Sequence, residues 1–247
     1  MIDSGVLVAV GLTFLLAGMV KGVIGLGLPT VSLALLTATL GLPQAMALLL
    51  VPSFATNLWQ ALSGGNGRTI LRRLWPFLVM ATVTVWVGAL ALTRADPALL
   101  SGLLGVLLVV YSAINLAGAR VTVPAAHEAW LGPVFGATNG VLTGMTGSFV
   151  VPGVMYLQAI GLPRDMLVQA MGILFTLSTA ALALALGGSG LLNAELGTLS
   201  AAALAPALAG MVLGQKIRGR LSETAFRRVL FVGLFILGLY LTADLFG

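Results

Sequence analysis

The chain contains no cysteine, which excludes disulfides, thiolate metal sites and thiol catalysis. Charge is nearly as scarce: 8% of the 247 residues are charged against 59% hydrophobic, and the mean hydropathy is +1.11. A soluble domain carries roughly 25% charge, so a water-compatible surface is excluded. The few carboxylates, Asp3, Asp96, Glu128, Asp165, Glu195, Glu223 and Asp244, fall between apolar runs or near the termini. Proton- and cation-coupled carriers commonly keep an acidic side chain inside the membrane. A cation or metal substrate is therefore disfavoured, and any proton coupling falls to the substrate itself or to Lys21. His127, the single histidine, is read as a solvated residue of a central loop beside Glu128. No paired carboxylates, His cluster or nucleophile–base arrangement lies within an apolar run, so no catalytic residue, metal site or cofactor is expected.

What remains is apolar and periodic. Ten hydrophobic segments cover about 5–22, 28–42, 44–62, 74–93, 98–117, 130–145, 148–160, 164–186, 196–214 and 226–246, with short polar breaks between them. The fold class expected is an all-α polytopic membrane protein. Residues 1–247 form one transmembrane domain, because no loop is long enough to fold separately. Met1-Ile2-Asp3-Ser4 places no basic region ahead of the first run, so a cleaved signal peptide is not expected.

The first five segments resemble the second five. Gly18, Gly22 and Gly25 match Gly140, Gly144 and Gly147 at a constant offset, and Gly41-Leu42-Pro43 recurs as Gly161-Leu162-Pro163. Met46 and Met166 follow at equal distance, and Gly88 with Arg94 matches Gly214 with Arg220. Pseudo-repeats of about 5–117 and 130–246, linked by 118–129, account for these echoes. Charge then sets their sense. With an odd number of crossings per half, Arg68, Arg72, Arg73, Arg120, Arg164, Lys216, Arg218, Arg220, Arg227 and Arg228 share one side, and Arg94 stands alone on the other. A parallel arrangement divides the same residues between both sides and breaks the positive-inside bias. Two inverted repeats of five segments follow, with both termini periplasmic. The net charge of +5 is thereby read as orientation in the bilayer, with no nucleic-acid partner.

Segments 28–42 and 148–160 are too short to span, reaching about 20 Å of a hydrocarbon core near 30 Å. Both follow glycine-rich breaks at matching places in the two halves, the best sequence pointer to a transporter's site. Irregular backbone survives at membrane depth only where it is buried in protein or lines a cavity. Helix N-termini starting there present N–H groups to an anion. The candidate substrate-binding residues are Lys21, Gly22, Gly25, Gly27 and Thr30 in the first half, with Asn57 on the third segment. The second half adds Asn139, Thr143, Gly144, Thr146, Gly147 and Ser148. Glycine allows a sharp turn and close approach, Pro29 suits the first turn of a new helix, and the hydroxyls are potential donors. The competing role for the glycines is helix packing, and Gly132, Gly136, Gly140 and Gly144 form a small-xxx-small ladder. Lys21 is the one charge inside an apolar run, a placement that marks a pathway unless the side chain snorkels. Gln60, Asn115 and Gln169 are read as interhelical hydrogen-bonding groups, and Pro52 and Pro206 as helix bends.

The run Gly22-Val23-Ile24-Gly25-Leu26-Gly27 and its echo Gly144-Met145-Thr146-Gly147, set in duplicated halves, resemble the sulfite exporter TauE/SafE family of bacterial membrane proteins. In this chain Leu26 and Leu28 interrupt glycines that are often consecutive in the family, and Ser148-Phe149 follow Gly147. The resemblance implies export of sulfite or an organosulfonate such as sulfoacetate across the bacterial inner membrane. The expected function is a secondary transporter of a small anion, whose partners are that anion and the lipid bilayer, with a homo-oligomer left open. The site is expected between the two breaks near the midplane. A passive anion channel, a membrane enzyme and a non-transporting interaction subunit are the alternatives.

Overall fold

A computed structural model describes residues 4–119 and 121–244. Met1, Ile2, Asp3, Arg120 and the end of the tenth segment at 245–246 lie outside the described residues. Among the described residues the chain is helical throughout, with no strand. In chain order the helices are α1 (Ser4–Ile24), α2 (Leu28–Leu40), α3 (Leu42–Leu62), α4 (Gly67–Val83), α5 (Val85–Leu92) and α6 (Pro97–Ala117). They continue with α7 (Ala125–Thr146), α8 (Gly153–Ala159), α9 (Arg164–Gly188), α10 (Ala194–Ile217), a 3-10 turn (Arg218–Arg220) and α11 (Glu223–Ala243). By length and composition, seven of the described helical stretches can cross a membrane: α1, α3, α4 with α5, α6, α9, α10 with its 3-10 turn, and α11.

Three boundaries differ from the sequence reading. α4 begins at Gly67, so Arg68, Arg72 and Arg73 sit on its first turns rather than in a loop. α7 begins at Ala125 and carries His127 and Glu128 on its first turn, where His127 is exposed and meets Trp130 edge-on at 6.2 Å. α8 is only seven residues long, because the β-branched Val150 and Val151 precede Pro152, and a residue before proline is pushed out of the helical region.

The chain divides into two compact units that do not coincide with its sequence halves. Unit 1 comprises Met1–Pro52, Pro97–Gly118 and Asn193–Gly247; unit 2 comprises Ser53–Asp96 and Ala119–Leu192. α3 passes from one to the other at Pro52.

In unit 1, α1 lies along α10 with backbones in contact. A Cβ on Gly18 would strike the carbonyl of Ala207, and one on Gly22 that of Met211. Reciprocally, Gly210 and Gly214 face the carbonyls of Leu15 and Met19. Small residues serve this purpose in membranes, where lipid removes the hydrophobic drive between helices and close packing must replace it. α6 and α11 pair in the same way at Gly105 and Gly238, and Tyr111 meets Phe231 edge-on at 5.4 Å. Pro52 lacks an N–H and so cannot bond the Leu48 carbonyl one turn back. Ser200 on α10 fills that gap: its hydroxyl donates to the Leu48 carbonyl at 2.8 Å and accepts the Val51 N–H at 3.1 Å.

Unit 2 repeats the device. α7 runs along α4 and α5, with Gly136, Gly140 and Gly144 against the carbonyls of Phe77, Ala81 and Val85, and Gly88 against that of Val141. The Thr84 hydroxyl, at the junction of α4 and α5, lies 2.8 Å from the Met80 carbonyl and 2.9 Å from the Ala137 carbonyl. Gln60 and Gln169 tie the end of α3 to α9, donating to the carbonyls of Val168 (2.7 Å) and Ala61 (2.8 Å). α8 is clasped at its C-terminal end. Arg73 bonds both carboxylate oxygens of Glu128 at 2.9 and 2.6 Å and reaches the Ile160 carbonyl at 3.2 Å. Tyr156 packs between Phe77 and Phe135, with centroids at 4.9 and 5.4 Å.

Replacing Ser200 by alanine removes its bonds to the Leu48 carbonyl and the Val51 N–H, and leaves the buried Leu48 carbonyl without the hydroxyl that replaces the missing Pro52 N–H. The expected cost is about 1–3 kcal/mol, read as a lowered melting temperature in detergent. Thr198→Ala, whose hydroxyl bonds only the Ala194 carbonyl on the exposed side of the same helix, serves as the reference. Equal melting temperatures for the two variants would refute the repair role.

Candidate functional site

Each unit contains one interrupted segment. In unit 1, α1 ends with the Gly25 N–H donating to the Lys21 carbonyl at 2.8 Å. Gly25 (φ 81°) and Gly27 (φ 107°) then occupy the left-handed region that side chains disfavour. α2 restarts at Leu28 with Pro29 in its first turn, and the Gly27 carbonyl accepts the Val31 N–H at 2.8 Å. The turn is tight enough that a Cβ on Gly27 would come within 2.9 Å of Val20 Cγ1. Lys21, Gly22, Gly27 and Thr30 are all buried. Lys21 is 5% exposed on the last turn of α1, and it is the only buried charged residue among those described.

In unit 2 the interruption is longer and ties itself off. α7 stops at Thr146, and Gly147 (φ 72°) donates its N–H to the Thr143 carbonyl at 2.7 Å. The Thr143 hydroxyl donates to the Ser148 carbonyl at 2.8 Å. That of Thr146 donates to the Leu142 carbonyl at 2.7 Å and accepts the Ser148 N–H at 3.2 Å. These two hydroxyl protons thus hold the break's own backbone. Asn139, fully buried one turn before Thr143, accepts the N–H of Gly153 through Oδ1 at 2.9 Å and so caps α8. Its Nδ2 has no hydrogen-bond partner.

Two residues that sequence reading missed join this neighbourhood. Phe149 of the break packs on Phe175 of α9, with centroids 5.7 Å apart. One turn further along the same face, the buried hydroxyls of Ser178 and Thr179 have no partner. Ser53, buried on α3, is a third such hydroxyl in unit 2, on the same helix face as the buried Asn57. The signal for Ser178 and Thr179 was present in the sequence as a polar pair inside an apolar run. Nothing local distinguishes that pair from hydroxyls that bond their own helix, as Thr176 does to Gly172.

The glycines separate by role. Gly22 and Gly144 are helix-packing residues of the two seams, whereas Gly25, Gly27 and Gly147 supply backbone conformations. What the breaks offer chemically is one buried ammonium in unit 1 and one amide N–H₂ with hydroxyl donors in unit 2. Both sets suit an anion.

The sequence pattern described as Sulfite exporter TauE/SafE matches residues 10–241, which include both breaks. Neither a curated protein nor a solved structure matches the chain.

The two glycine roles predict opposite behaviour in neighbouring positions. Gly22→Ala drives a methyl group into the Met211 carbonyl, and the loss of folded protein should be severe. Gly25→Ala meets open space and costs only the backbone penalty of about 1–2 kcal/mol. Monodisperse yield on size-exclusion chromatography discriminates them, and equal yields would sink the distinction.

Proposed function

The chain belongs to the sulfite exporter TauE/SafE family, a family of membrane transporters and not of enzymes, and from that membership we propose that it is a secondary carrier exporting a small oxyanion. The substrate class is sulfite or an organosulfonate such as sulfoacetate, and the setting is a bacterial inner membrane. The observation that carries the reading is Lys21, buried at the end of α1 and directly before the break. Charged side chains buried within membrane spans usually mark a substrate or ion pathway.

The proposal assigns anion contact to Lys21 and to the break residues Gly25, Gly27 and Thr30. Within unit 2, taken by itself, the candidates for anion contact are Asn139 through its Nδ2, Ser148, and the newly found Ser178 and Thr179. Gly22, Gly144, Thr143, Thr146 and Gly147 shape the breaks in this reading, and Asn57 stays a candidate. The two pseudo-repeats act as one inverted pair, with both termini periplasmic. Supporting that sense, the first helix of each sequence half packs on the fourth segment of the other half, α1 on α10 and α7 on α4–α5. Gly18, Gly22, Gly140 and Gly144, whose spacing repeats between the halves, lie in these contacts, as do the matched Gly88 and Gly214.

In proteoliposomes, sulfite flux should saturate with concentration and show counterflow. Lys21→Met, which keeps the length and removes the charge, should reduce transport by about tenfold or more. That corresponds to losing a charge-assisted hydrogen bond of about 1.5–3 kcal/mol. Unchanged flux in Lys21→Met removes the lysine from the mechanism. Flux that neither saturates nor exchanges removes the carrier.

A further inference from the structure

One face of α10 is buried against α1 through Ala203, Ala207, Gly210 and Gly214. Another carries a shallow groove lined by Leu208, Ala209, Val212, Leu213 and Lys216, all exposed. Their spacing sets them in a strip about 12 Å long, apolar for most of its length and cationic at one end. Beyond Lys216 the chain turns through Arg218–Arg220 into α11, which opens with Glu223 and carries Arg227 and Arg228. Arg227 is drawn towards its own unit, 3.4 Å from Asn115 Oδ1 and 5.8 Å over the Phe231 ring. Lys216, Arg218, Arg220 and Arg228 stay exposed, and Glu223 is the only acidic residue in the stretch.

We infer that this face of α10 binds an anionic phospholipid, with an acyl chain along the groove and the phosphate at Lys216, Arg218 and Arg220. The positive-inside bias accounts for the sign of the cluster but not for a groove that ends on one of its lysines. An amphiphile with an apolar tail and a negative head matches both parts at once. A free anion leaves the groove unused, and a zwitterionic lipid leaves the positive charge uncompensated. The inference needs only the membrane setting, so it stands apart from the substrate reading.

Thermal unfolding of the purified full chain in neutral detergent tests it. The additives compared are phosphatidylglycerol, phosphatidylcholine with the same chains, and inorganic phosphate. Phosphatidylglycerol should raise the melting temperature by several degrees, and the other two should not. The rise should be lost in K216Q/R218Q and in A209F, whose ring fills the groove, and kept in R68Q/R72Q, which removes the same charge elsewhere. A full rise in K216Q/R218Q, an equal loss in R68Q/R72Q, or a rise with inorganic phosphate alone overturns the assignment. Should the variants fail to fold, lipid extracted from the wild-type protein decides: enrichment of anionic phospholipid over the source membrane supports the site, and no enrichment refutes it.

Discussion

Hydrocarbon offers no hydrogen-bonding partner, so a backbone group that leaves a helix at membrane depth must be answered from within the protein. The cost of failing to do so, several kcal/mol per group, exceeds what a side-chain contact usually contributes, and it explains where the polar residues of this chain have gone. Ser200 repairs the ladder that Pro52 opens. Gln60 and Gln169 close the end of α3 on α9. Thr143, Thr146 and Asn139 hold together the irregular run from Gly147 to Pro152. Much of the buried polarity here maintains backbone, and the buried polar atoms left without a hydrogen bond are therefore informative. Asn139 Nδ2 and the hydroxyls of Ser178 and Thr179 are such atoms.

Glycine serves two distinct physical needs in the same few turns. At Gly18, Gly22, Gly210 and Gly214 it brings two helical backbones together, and a methyl group at any of the four would collide with a carbonyl. At Gly25 and Gly27 there is no such seam. Those positions need positive φ, which lets α1 stop and α2 begin within three residues. The two needs are coupled by position. The seam fixes the last turn of α1 rigidly against α10, so the turn that carries Lys21 and delivers the chain into the break is held by main-chain contact rather than by flexible side chains.

The legible parts of the molecule were those governed by composition and short-range chemistry. Spans follow from apolar length, and both interruptions were visible because Gly25, Gly27 and Gly147 are there for conformational reasons that only glycine meets. The start of α4 was misplaced because Arg68, Arg72 and Arg73 look like loop residues by polarity. Their helical state depends on distant partners: Glu128 and the Ile160 carbonyl for Arg73, and Gln169 for the N–H of Asn66 just ahead of the helix. The Ser178–Thr179 pair was visible as a polar pair but not as a neighbour of the break, since the packing of Phe149 on Phe175 is a contact between residues distant in sequence. Gly22 and Gly144 were readable as important but not as to why, because packing and site roles leave the same residue type.

The sign of the substrate follows from one asymmetry in the placement of charge. Every other described basic residue is exposed, and no described carboxylate is buried. A buried ammonium favours a guest of opposite sign over a cation.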